Sequence, residues 1–385
     1  MTVVRREAGR RWLTVAAAVV VLAALPAAVN ALPVRAPGID LAGLAARIRA
    51  SAVQPFQGYA VSTGTAGLPA LPRLSDVTDL LNGETRLRVW YAGPRRWRVD
   101  VLDLGAERDT YQLPDAQLVW DYGANQLTRI VGEAPVRLPR GADLTPPDLG
   151  RRLLAAADRT TPAGPGTDAD GLAPLPARRI AGIDAAGMRI TPRNPVTTVG
   201  HIDVWADPAT GLPLEVAVTG RKARQPFLVT RFLEVSLSAP VPAVLTPPAA
   251  RPGIGYTVTD AADVDTALRT LGTGPLPDEL AGQERADLGP APLGGVGGYG
   301  SGLAQFLVLP LPRRTGFDLI RRVTRGGGTP LTYPDGDGVV ISTPLISLLA
   351  LDAHPARRTY LLVGLVDGAL LKQAGADLAS FRGGI

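Results

Sequence analysis

The sequence predicts a mainly antiparallel β protein with helices, followed by a smaller α+β part. Three observations lead there. From Gln57 to Leu237 apolar residues recur with period two in short runs, the pattern of half-buried strands. The runs are divided by turn chemistry, drawn from 44 glycines and 36 prolines, enough for long loops but short of wholesale disorder. The length, 385 residues with 46% hydrophobic content, exceeds one average unit and can build more than one core.

The chain opens with Arg5, Arg6, Arg10 and Arg11, then runs uncharged from Trp12 to Val34. Basic residues before an apolar stretch read as a secretory signal or signal anchor over residues 1–35. They place the bulk of the chain outside the cell membrane. Val29-Asn30-Ala31 offers a cleavage site and Pro33 opposes one, so cleaved and anchored forms both stay open.

Residues 40–248 form the first folded part. Leu41–Ala52 has helical spacing. In Glu84–Tyr91, Leu87, Val89 and Tyr91 share one face; in Arg96–Leu102, Trp97, Val99 and Val101 share one. The intervening Ala92-Gly93-Pro94 is turn chemistry, and if that loop closes a hairpin, Tyr91 faces Trp97 across the strands. Glu107–Leu113 continues the pattern. Leu118, Trp120 and Tyr122 align in Gln117–Tyr122, and Gln126–Val131 follows. Short crossings make this an antiparallel meander. Thr145-Pro146-Pro147-Asp148 opens a helix that continues through Ala157. Thr160 to Pro176 reads as loop. Strand patterns resume at Arg179–Ile183, Gly187–Thr191, Gly200–Ala206, Leu214–Thr219 and Phe227–Leu237. Residues 249–300 read as a helix, Asp260–Leu271, and a Gly/Pro-rich linker. Residues 301–385 form a small α+β domain: a strand at Leu303–Leu311, a helix or turn near Phe317–Thr324, a hairpin about Pro334–Gly338, a strand at Thr359–Leu365 and a helix at Gly368–Ser380.

Composition narrows function. With no cysteine there is no disulfide, thiolate metal site or cysteine nucleophile. Much of the net +5 lies in the first eleven residues; from Leu32 onward 36 basic residues face 34 acidic ones, which argues against nucleic acid. The two histidines, His201 and His354, lack nearby triad motifs, and no G-x-S-x-G elbow occurs. An enzyme is not expected, nor a cofactor or metal. Gly295–Gly300 spells G-x-G-x-x-G, but a proline-rich loop precedes it and a strand pattern follows, so a linker is the better account. Asp335 and Asp337 read as a hairpin turn. The aromatic meander is either an ordinary core or the wall of an apolar cavity.

Leu87-Arg88-Val89-Trp90-Tyr91, Trp97-Arg98-Val99, Leu118–Tyr122 and the turn in Trp205–Leu214 (WADPATGLPL) resemble the LolA/LolB and RseB (MucB) superfamily across residues 40–248. Ser301–Phe306 and Leu362–Val366, leading to Ala374, are similar to the small C-terminal domain of RseB-like regulators. The resemblance implies an unclosed β-barrel with a helical lid that holds lipid or lipoprotein acyl chains without catalysis. Its cavity candidates are Leu87, Val89, Tyr91, Trp97, Val99, Val101, Leu118, Trp120 and Tyr122. It implies an envelope sensor whose partner is a membrane anti-sigma factor, or alternatively a lipoprotein or lipid carrier serving a membrane transporter.

Overall fold

The computed structural model describes Val34 and residues 40–382, except 66, 68–74, 104–105, 133, 135–136, 161–170, 262–275, 289–294 and 355–356. The leader and the expected helix at Asp260–Leu271 therefore fall wholly or largely outside the described residues. Among the described residues no helix is long and apolar enough to cross a membrane.

The first part contains α1 (Leu41–Ala50), β1 (Phe56–Gly64), α2 (Ser75–Asn82), β2 (Glu84–Gly93), β3 (Arg96–Asp103), β4 (Ala106–Gln112), β5 (Gln117–Asp121) and β6 (Gln126–Val131). After α3 (Pro146–Thr160) come β7 (Leu172–Ile180), β8 (Ile183–Ile190), β9 (Val199–Ala206), β10 (Pro213–Gly220), β11 (Pro226–Ser236) and β12 (Gly255–Asp260). Together they make one open twelve-stranded sheet, ordered β12-β6-β5-β4-β3-β2-β1-β11-β10-β9-β8-β7. All neighbours are antiparallel except β12, which runs parallel to β6. The sheet does not close on itself, and α1 and α3 cover one of its faces. Leu44 and Ile48 of α1 and Leu154 of α3 are buried there with Phe56, Leu87, Val89, Val99, Val216 and Phe232. This is the half-barrel architecture the resemblance implied.

Local chemistry explains the lid's seat. Asp40 caps α1 by accepting from the Gly43 backbone N–H. The β9–β10 turn is tied by the Asp207 carboxylate, which accepts from the Thr210 hydroxyl and the Ala209 and Thr210 backbone N–H groups. Gly211, at φ +72°, lays its backbone against Arg47 in the last turn of α1.

Three expectations are corrected. The loop expected to Pro176 gives way at Leu172 to β7, whose Pro174 and Pro176 are tolerated on an edge strand. Arg179–Ile183 is not one strand: Ala181 (φ 48°) and Gly182 (φ 82°) turn the chain between β7 and β8. The supposed linker at 249–300 supplies β12 to the first sheet and β13 (Glu279–Leu280), β14 (Gln283–Ala286) and β15 (Gly297–Tyr299) to a second. The glycine run is buried strand, because Leu276 and Leu288 fill the space a Cβ would need at Gly297 and Gly298.

The second sheet continues through β16 (Phe306–Leu311), α4 (Arg313–Arg325), β17 (Thr329–Tyr333), β18 (Gly336–Ser342), β19 (Ser347–Ala353), β20 (Arg358–Gly364) and α5 (Gly368–Ser380). Its eight strands are ordered β13-β14-β15-β16-β20-β19-β18-β17. Val323 of α4 packs with Val339, Leu348 and Leu361 on one face, and Leu371 and Leu378 of α5 pack with Leu349, Tyr360 and Leu362 on the other.

The two sheets are joined at one seam. Thr197, 1% exposed, donates its hydroxyl to the carbonyls of Leu303 and Leu365. Thr198 donates its backbone N–H to Leu365, and Asp367 donates its N–H to Val196. Leu303 and Leu345 of the second part enter the core of the first.

Candidate functional site

Register decides which candidates meet. Tyr91 stands opposite Trp97, Val89 opposite Val99 and Leu87 opposite Val101, as the hairpin geometry predicts. These six share the helix-covered face. Across the next strands Val99 pairs with Thr110, and Thr110 with Val119. Leu118 and Trp120 therefore point to the opposite face, where Tyr111 and Leu127 join them in a separate cluster. Tyr122 lies just past β5, 52% exposed, its ring edge-on to Trp120 at 5.4 Å. The nine candidates do not form one wall.

Within the helix-covered group, burial is graded. Leu87, Val89 and Val99 are buried. They lie beneath the 3-10 turn Gly141–Leu144, where a Cβ on Gly141 would stand 2.4 Å from Val101 Cγ2. Thr230 donates to the Leu144 carbonyl at 2.6 Å and fixes that turn over the sheet. Tyr91 stacks on Phe56 at 5.1 Å and donates its hydroxyl to the Ala52 carbonyl; burial pushes its pKa up. Trp97 and Val101 are half-buried, and so are Thr110, Val119, Thr128 and Ile130, which extend the same face across β4 to β6. The face passes from packed core under the helices to an accessible apolar row led by Trp97, Val101, Val119 and Ile130. Val119 and Ile130 were missed in the sequence because Leu118 and Trp120, their larger neighbours in the β5–β6 hairpin, carried the visible apolar pattern.

The opposite face holds a charged cluster that the sequence showed only as alternating Arg and Asp. The Arg98 guanidinium lies 4.9 Å from both the Trp90 and the Tyr111 ring centroids. It donates to both oxygens of Asp100, at 2.6 and 2.8 Å, and to Asp109 Oδ2 at 2.8 Å. Asp100 and Asp109 are opposite one another, 1% and 0% exposed. Burial first, and then the Asp100 charge, push Asp109 up to about 7. A shallow groove lies beside the cluster, lined by Gln57, Tyr59, Arg88, Trp90, Glu234 and Ser236.

The two histidines are apart. His201 on β9 has Nε2 3.9 Å from Asp203, while His354 beyond β19 has Nε2 3.4 Å from Asp337 in the other sheet.

No family model and no curated protein matches this chain. Among solved structures, the chain is similar to the Pseudomonas aeruginosa MucA/MucB complex at 17% identity and a TM-score of 0.46, over 87% of this chain and 95% of that one. A structure of MucB aligns at 18% identity and 0.36, over 88% and 98%. A LolA superfamily protein from Nitrosomonas europaea aligns at 11% identity and 0.22, over 55% and 99%. At these values the likenesses carry no functional inference.

Proposed function

We propose that this chain is a non-catalytic, extracytoplasmic binding protein whose open sheet takes an acyl chain of a lipid or lipoprotein along the helix-covered face. The observation that carries this is the half-buried row Trp97, Val101, Val119 and Ile130, continuous with the packed core formed by Leu87, Val89 and Val99. A dozen methylenes laid on that row would contribute roughly 10 kcal/mol at about 0.8 kcal/mol each, before ordering costs. A penalty of several kcal/mol still leaves micromolar affinity. The ligand contacts assigned to Leu118, Trp120 and Tyr122 are withdrawn from this surface, since register turns them away from it.

The role we infer is an envelope sensor rather than a free shuttle. Supporting it are the second sheet, its seam through Thr197 and Thr198, and the RseB-like sequence motifs at Leu87–Tyr91, Trp205–Leu214 and Ser301–Phe306. A partner of the anti-sigma kind, held in the membrane, fits this role. Native mass spectrometry of protein purified from membranes tests the ligand: co-purified lipid, lost in Trp97→Ala, is the expected result. Lipid-free protein from every preparation overturns it. A photo-crosslinker at Ile130 tests the role. Capture of a membrane regulator supports the sensor, and capture of transporter subunits replaces it with the carrier.

A further inference from the structure

The geometry points to a divalent cation site on the face of the sheet away from the helices, formed by Asp100, Glu107 and Asp109 of the β3–β4 hairpin; we propose that it takes a hard ion of the calcium class. One ligand oxygen from each of the three residues lies within 4.8 Å of the others. Two bonds of about 2.3–2.6 Å to a shared calcium ion span that separation. A donor set of oxygens alone, without sulfur or imidazole, selects calcium, magnesium or manganese over softer metals.

Acidic clusters often need no ion, so the polar accounting matters. Arg98 takes both oxygens of Asp100 and Oδ2 of Asp109, and the Tyr111 hydroxyl also turns to that Oδ2. Asp109 Oδ1 is left buried and without a hydrogen-bond partner. A buried, unpaired carboxylate oxygen is costly, and its residue is wholly enclosed. It calls for a cation or a proton.

The layers of the hairpin choose between them. Register sets Arg98 beside Tyr111, then Asp100 beside Asp109, then Leu102 beside Glu107. Successive layers are about 7 Å apart along the strands. Arg98 thus meets the aspartate pair from one side and Glu107 from the other. An ion between Glu107 and the pair is shielded from the guanidinium by the carboxylates themselves. When all three carboxylates are ionised, one arginine leaves two negative charges, the charge that a divalent ion cancels. Among the described residues of the neighbouring strands, the arginines nearest the cluster are engaged or directed elsewhere. Arg88, opposite Asp100 on β2, is exposed along the groove, Arg86 pairs with Glu84, and Arg108 reaches Asp121. The site does not depend on the acyl-binding proposal, whose surface is the other face.

Terbium is the probe, because Trp120 stands directly opposite Asp109 and can sensitise its emission. The full-length chain in detergent, stripped with EGTA, should give saturable terbium luminescence that calcium displaces at about 0.1–1 mM, the range of extracellular calcium modules. Calcium should also raise its melting temperature. Glu107→Gln, at a half-buried position, should fold normally in EGTA and weaken calcium displacement at least tenfold; Asp109→Asn should abolish it. Terbium emission absent, or unchanged in Glu107→Gln, overturns the site. So does protection by acid in EGTA with none from calcium or magnesium, which would make the aspartates a proton-sharing pair only.

Discussion

Gly211→Ala should unfold the lid's anchorage, and the size of the loss can be worked from two separate causes. Gly211 sits at φ +72°, a left-handed conformation that costs an L-residue about 1–2 kcal/mol. An added Cβ would also stand 2.3 Å from the carbonyl carbon and 2.4 Å from the oxygen of Arg47. That backbone belongs to α1, and α1 cannot back away without lifting Leu44 and Ile48, 1% and 0% exposed, out of the core. Overpacking against rigid backbone costs about 1–3 kcal/mol. The sum is about 3 kcal/mol. Gly182→Ala isolates the first cause: its φ is +82° but a Cβ there meets nothing within 4 Å, so the expected loss is about 1 kcal/mol. Urea unfolding followed by tryptophan fluorescence suits the pair, since Trp205 lies on β9 just before the turn and is 3% exposed. Equal losses in the two variants would refute the clamp, because they would mean that α1 yields freely to the new methyl group.

Leu87→Ala should cost about 3 kcal/mol in the same assay, since the side chain is fully enclosed, while leaving fluorescent-lipid affinity within a few fold. Trp97→Ala should show the reverse balance, a smaller stability loss and at least tenfold weaker lipid binding. Trp90→Ala, on the opposite face above Arg98, should leave lipid binding unchanged. Thr197→Val keeps the shape but removes the buried hydroxyl that bonds the Leu303 and Leu365 carbonyls, at about 1–3 kcal/mol, while the Thr198 N–H still reaches Leu365. Hydrogen exchange should then quicken at β9, β20 and the start of α5 together; faster exchange confined to β9 would show that the seam is not shared.

How far the sequence could be read depended on what each pattern encodes. Period two identified β2 to β6 because a strand's own alternation is local, and α5 was legible because Ala369, Leu370, Ala374 and Leu378 fall on or near one helical face. Strand β15 was hidden because glycines normally weaken strands, and here the side chains of Leu276 and Leu288 lie over Gly297 and Gly298. Strand β12 is exposed along its length, and β13 and β14, two and four residues long, are too short to show a period-two apolar pattern. The binding face was half-legible for a sharper reason. Alternation says which residues of one strand share a face, but not which face of the sheet that is; only register links one strand to the next. Both faces of this sheet carry apolar clusters, one under α1 and α3 and one around Tyr111, Trp120 and Leu127. The larger apolar residues therefore change sides between β3 and β5, and a rule that large apolar residues face inward follows them to the wrong surface. What corrects it is the unbroken line of cross-strand partners from Val99 to Thr110 to Val119, which leads past Trp120 to the smaller residues Val119 and Thr128 and, on the same face, Ile130. The same line leaves Asp100 and Asp109 facing each other on the other side, so the register that moves three aromatic-strand candidates off the acyl surface is also what brings the carboxylates together.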